Sequence, residues 1–197
     1  VRGDGCQHHQ PQVNLLSGRV SRFQSSYSCS SSYFNVGDGP TISGTTAQLA
    51  TQDYLPLDEN GIPYGKIDKF TREVTKPFEL VPTGSHIDDV FVMETDPSKI
   101  PLDTRGLPLR RLAQFSHAST GLHLEVHSTE PAFQFYTGKY INVPAVGGAG
   151  PYTEGAGFCV EPSRYVNAIN EPDWRNMVLL RKGQIFGCKN VYKAWKE

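Results

Sequence analysis

The sequence has few of the features that would mark it for several common roles. It has no excess charge: 19 Lys and Arg stand against 20 Asp and Glu, a formal net charge of −1 over 197 residues. That balance argues against a basic nucleic-acid surface or an electrostatically bound membrane surface. No apolar run approaches the roughly 18 residues of a membrane span. The first residue is Val1, and Val1 to Gln12 carries no apolar core like that of a signal peptide. There is no Asn-x-Ser/Thr acceptor site for glycosylation. Cys6, Cys29, Cys159 and Cys188 form no Cys-x-x-Cys pair. They read as free thiols of a reducing, cytoplasmic compartment, not as a zinc site or disulfide framework. Sustained helical periodicity is also missing: no window keeps an apolar i, i+3, i+4, i+7 stripe over three turns.

What is present is punctuation and β-type patterning. The chain has 19 Gly and 14 Pro, with 38% hydrophobic and 20% charged residues, a balance that suits a globular strand-and-loop protein. Thr45 to Ala50 and Ile87 to Met93 read as strands. Gly121 to His127 alternates most clearly, with Leu122, Leu124 and Val126 on one face and His123, Glu125 and His127 on the other. Phe133 to Tyr140, Gly157 to Val160, Val178 to Leu180 and Gln184 to Trp195 complete the series. Asp58-Glu59-Asn60-Gly61 is a turn, because Asn and Gly tolerate positive φ. The fold class is therefore all-β, a sandwich. Residues 1–32 differ from the rest. They hold Arg2-Gly3-Asp4, His8-His9 and a serine-rich run from Ser25 to Ser32, with weak periodicity. We read them as an atypical segment, poorly ordered or non-native, and residues 33–197 as the structured part. Arg-Gly-Asp is too short to argue for adhesion.

Several residue groups could carry chemistry. Alternate strand residues lie roughly 6.6–7 Å apart, too far for His123 and His127 to share one metal without a bend; the row reads as a polar, solvent-facing face. The glycines at 147, 148, 150, 155 and 157 would cradle phosphate only before a helix N-terminus, which the sequence does not show. Glu161 ends an apolar stretch with Arg164 nearby. Those residue types suit a general base, and equally a Glu–Arg pair that fixes a loop. Asp88 and Asp89 are adjacent on a strand, so only one can face a given site. Gln134 sits between Phe133 and Phe135, and an amide among aromatics needs a specific partner. Aromatic faces beside carboxylates and amides are what sugar sites use.

These same residues carry a resemblance. Ser128-Thr129-Glu130-Pro131-Ala132-Phe133-Gln134-Phe135-Tyr136-Thr137-Gly138 resembles a signature of the aldose 1-epimerase (galactose mutarotase) family. So does Gly157-Phe158-Cys159-Val160-Glu161-Pro162-Ser163-Arg164-Tyr165 with Ala168-Ile169-Asn170. Tyr54 to Asp58 and Gly61 to Gly65 resemble its middle section, and the overall flavour is fungal. The likeness runs from about Tyr33 to the C-terminus. It implies the C-terminal portion of a large antiparallel β-sandwich. It also implies acid/base interconversion of the α and β anomers of a free hexose such as galactose or glucose, with no cofactor or metal, no nucleic acid and no membrane. Residue by residue, it makes Glu161 the general base at the C1 hydroxyl, and Asp88 and Gln134 the groups that hold the sugar. The family's Asn-His-Ser/Thr-Tyr-Phe-Asn pattern carries its general-acid histidine. Here Tyr33-Phe34-Asn35 is intact, but Ser31 stands in the histidine's place. A hydroxyl cannot protonate a ring oxygen at useful rates near neutral pH, so the resemblance with this departure implies either a working epimerase in which another histidine serves as the acid, or a catalytically impaired fragment or carbohydrate-binding relative. A sugar-phosphate substrate would need a basic cluster; Arg110-Arg111 is the nearest, and it reads as a solvated turn.

Overall fold

The computed structural model describes residues 32–197. Arg2-Gly3-Asp4, His8-His9 and Ser31 lie outside the described residues, as does almost all of the segment read as atypical. Eleven strands form two antiparallel sheets. In chain order they are β1 (Tyr33–Phe34), β2 (Thr45–Leu49), β3 (Asp53–Tyr54), β4 (Asp68–Lys69), β5 (Phe78–Glu79), β6 (Asp88–Val92), β7 (Arg110–His117), β8 (Leu122–Ser128), β9 (Ala132–Tyr136), β10 (Phe158–Ser163) and β11 (Asn190–Lys196). One sheet has the order β1-β10-β9-β6-β3-β4, the other β11-β8-β7-β2-β5.

The sheets pack face to face around an aromatic core. Phe91, Phe133, Phe135, Phe158 and Val160 come from the first sheet, and Ala47, Leu49, Phe115, Leu124 and Val126 from the second. Phe115 bridges them, stacking on Phe158 at 4.1 Å between centroids and tilting against Phe135 at 5.7 Å. Phe34 on β1 stacks on Tyr192 of β11 at 5.5 Å, joining one edge of each sheet. A second, smaller cluster lies on the outer face of the first sheet. There Leu55, Val90, Val92 and Ala132 are covered by Tyr165, Ala168, Trp174 and Met177.

The expected strands are found with shifted ends, except one. Val178 to Leu180 is not a strand: a 3-10 turn at Arg175–Met177 runs into it, and Leu180 is exposed. Of its apolar residues Val178 packs against the small outer cluster, next to Met177. The eight-residue β7 was not legible. A register shift between Arg111 and Ala113 buries Leu112 and Ala113 consecutively and breaks the period of two. Arg110 is therefore not in a solvated turn. It opens β7, and its guanidinium donates to the carbonyls of Met93 (2.8 Å) and Glu130 (3.3 Å). The Asp58–Gly61 turn forms as read, with Gly61 at φ 76° and Asp58 Oδ1 accepting from the Asn60 and Ile62 amides. Gly147-Gly148 is the two-residue turn of a tight hairpin, both at positive φ, with paired bonds between Val146 and Ala149.

Candidate active site

The pocket sits on the outer face of the first sheet, and strand alternation dictates its contents. On β9, Phe133 and Phe135 enter the core, so Gln134 and Tyr136 point the other way. The ladder then sets two rows across the strands. Tyr33 pairs with Cys159, Cys159 with Tyr136, and Tyr136 with Asp88. One step along, Glu161 pairs with Gln134 and Gln134 with Val90. Residues directly opposite in a ladder share a face, so the two rows form one surface. The cover contributed by residues 165–177 stops at Val166. What remains open is a pocket of about 290 Å³, lined by Tyr33, Asp88, Gln134, Tyr136, Glu161, Ser163 and Val166.

All three residues singled out from sequence meet there. Gln134 Nε2 donates to Asp88 Oδ1 at 2.7 Å, which is the specific partner that an amide between two phenylalanines needs. Asp88 and Asp89 separate as strand geometry requires. Asp88 lies on the pocket side. Asp89 is half-buried on the opposite side, beside Phe135 in register, and desolvation raises its carboxyl above the usual range. Glu161 faces the pocket across from Gln134. Arg164, the arginine near it in sequence, forms an ion pair with Glu130 (3.1 Å).

Two tyrosines complete the walls. Tyr33 and Tyr136 meet edge to face, 6.4 Å between centroids at 75°. Burial, then the neighbouring Cys159, Tyr136 and Glu161, pushes the Tyr33 hydroxyl far above its ordinary value. Burial also raises Tyr136, opposed by the Tyr140 amide, which donates to its oxygen at 2.6 Å. Both phenols are therefore neutral at physiological pH. Tyr33, Tyr136, Ser163 and Val166 were not singled out as site residues from sequence. Tyr136 was within reach, two residues beyond Gln134 on the same strand face. Tyr33 depends on the pairing of β1 with β10, which no local pattern reveals. Gly138, just after β9, carries φ 81° and has the Gly157 carbonyl where a Cβ would lie, so a side chain there would force the strands apart. Asn35 is used by the chain turn: its side chain donates to the carbonyls of Gly39 and Thr41 and accepts from the Gly37 amide.

The other groups considered lie elsewhere. Glu125 accepts from His127 (3.0 Å) and Arg111 (3.1 Å), and His123 stacks on Trp195 at 5.0 Å, all on the second sheet. Among the described residues no group of His, Cys, Asp and Glu could hold a metal ion, and no helix is long and apolar enough to cross a membrane. Cys159 is buried and Cys188 partly buried.

The sequence pattern of the family described as aldose 1-epimerase matches residues 31–193. The chain belongs to the aldose 1-epimerase family. It is 34% identical over 168 residues to the bifunctional protein gal10 of Schizosaccharomyces pombe, covering 84% of this chain and 23% of that one. It is 32% identical over 168 residues to the galactose mutarotase of Rattus norvegicus, covering 82% of this chain and 47% of the relative. The chain thus spans about a quarter to a half of the relatives it matches. Among solved structures, the GalM/aldose epimerase homologue from C. elegans superposes with a TM-score of 0.67 at 16% identity, over 84% of this chain and 50% of that one. This likeness shows that the two-sheet antiparallel architecture is the family's fold.

Proposed function

We propose that the pocket binds a free hexose, galactose or glucose, as the C-terminal part of an aldose 1-epimerase site. In this reading Glu161 is the general base at the C1 hydroxyl, and Asp88 and Gln134 accept and donate hydrogen bonds to the ring hydroxyls. The observation that carries it is the convergence of Glu161, Gln134 and Asp88 on one pocket between two tyrosine rings, with Gln134 and Asp88 already hydrogen-bonded. Flat apolar faces for C–H surfaces beside paired polar groups are the chemistry of a pyranose site. The galactose mutarotase relatives favour the same substrate class.

Ring opening also needs an acid at the ring oxygen, one atom away from the carbon whose hydroxyl the base deprotonates. Ser31 stands where the family has a histidine. Of the described histidines, His117, His123 and His127 belong to the second sheet. His86 precedes Asp88, but its side chain is only 8% exposed and meets Glu154 at 2.6 Å. Its Nε2 is engaged by Glu154, and it is not among the residues that line the pocket. The chain as it stands therefore binds sugar but turns it over poorly. One group's acid–base catalysis is worth roughly 10²–10⁴-fold, and that factor is forfeited.

Polarimetry of fresh α-galactose and α-glucose tests this, alongside a binding titration. Saturable binding with a rotation rate near that of buffer is the expected result. A rate well above buffer that disappears in Glu161→Gln means a working mutarotase, and sinks the impaired reading.

A further inference from the structure

We propose that the buried Glu130–Arg164 ion pair is a positioning device that locks the register of β9 against β10 and so holds Glu161 opposite Gln134; it rests on the reading of Glu161 as the base. Glu130 lies two residues before β9 and is 2% exposed; Arg164 lies one residue after β10 and is 8% exposed. Their Nε–Oε2 separation is 3.1 Å. Ser163 and Ala132 are the last rung of the ladder, so the pair sits just beyond its end. Glu161 and Gln134 are two rungs inside it.

The lock has something to do. Among the described residues β10 pairs with β1 at Phe158 and Cys159, while its pairing with β9 runs on to Ser163, so the Glu161 rung belongs to the β9 ladder. A slip of one residue would turn Glu161 into the aromatic core and Val160 into the pocket.

The pair is also anchored from outside both strands. Arg164 Nη2 donates to the Leu102 carbonyl at 2.8 Å, and the guanidinium lies 5.1 Å from the Phe186 ring centroid. The Glu130 carbonyl accepts from Arg110, and its amide donates to Ser128 Oγ. Burial and the Glu130 carboxylate push the Cys188 thiol up to about 12, so it stays protonated and serves as a donor to Glu130. Buried ion pairs are often matched or bettered in stability by apolar replacements. A pair kept in so dry a place therefore fits a role in fixing geometry better than one in adding stability.

The experiment replaces both partners in E130L/R164M and compares it with the unaltered chain. The lock predicts a Tm within a few degrees of the original. It also predicts amide exchange at Glu161 and Gln134 at least tenfold faster relative to Leu124 and Val126 in the other sheet, and galactose affinity at least tenfold weaker. Unchanged relative exchange at those two amides overturns it, as does exchange that rises equally in both sheets. If the double variant does not fold, R164K replaces it. Losing the planar fork should still speed exchange at Glu161 several-fold, and no selective change there overturns the lock. A chain that binds no galactose before any substitution overturns the reading of Glu161 as base, while the exchange rates still decide the lock.

Discussion

Strand β9 presents two faces with opposite duties. Its core face carries Phe133 and Phe135, both fully buried; its outer face carries Gln134 and Tyr136, both lining the pocket. The two sets differ only in parity along five residues. Each face therefore constrains the other. A change that moves the backbone to suit the core also moves the pocket, while a change confined to an outer side chain leaves the core alone.

Substitutions on either face should separate stability from binding. Phe135→Ala removes a ring that touches Phe115 and Phe158. It should cost about 3–5 kcal/mol in denaturant unfolding. Gln134→Ala deletes the partner of Asp88 but no core atom. Galactose affinity should fall at least tenfold in a titration, while stability stays within about 1 kcal/mol. If Gln134→Ala destabilises as much as Phe135→Ala, the two faces are not independent.

Asp89 marks where the division is imperfect, since it puts a carboxyl beside Phe135. Burial raises its pKa in the folded chain. Relative to the unfolded chain, the folded state then favours the protonated form. Its contribution is most favourable below the unfolded carboxylate range and is lost as pH rises through the raised value. Asp89→Asn should therefore raise Tm at pH 7, and the gain should vanish as pH falls below the carboxylate range. A gain that persists at low pH would assign the effect to something other than charge. The smallest effect belongs to the surface. Lys69→Ala breaks an ion pair of 2.7 Å with Asp53 at the far edge of the sheet, and should shift stability by no more than about 0.5 kcal/mol.

Much of this was legible in the sequence where the period of two is clean. β8 and β9 alternate without interruption, and Gln134 announces itself by its place between two phenylalanines. Asp88 and Glu161 stood out as carboxylates on apolar strands, the resemblance gave them their roles, and strand parity accounts for which way they point. β7 was hidden because a bulge puts Leu112 and Ala113 together and because Arg110-Arg111 looks like a turn. Val178-Leu179-Leu180 misled in the opposite direction, since a short apolar run does not distinguish a strand from a loop that pads a small cluster. Tyr33 could not be placed at all from local pattern. It reaches the pocket through a ladder to residues more than a hundred positions away.

Among the described residues that ladder has two rungs, Tyr33 to Cys159 and Phe34 to Phe158. Tyr33 faces the pocket, and Phe34 faces the core and the stack with Tyr192. A pull on the chain at residue 32 would load the Tyr33 rung before the Phe34 rung, so the pocket would lose its Tyr33 wall before the core lost its Phe34 cover. Binding and cohesion would thus fail in a fixed order, and a bound ligand resting on Tyr33 would raise the force at which peeling starts.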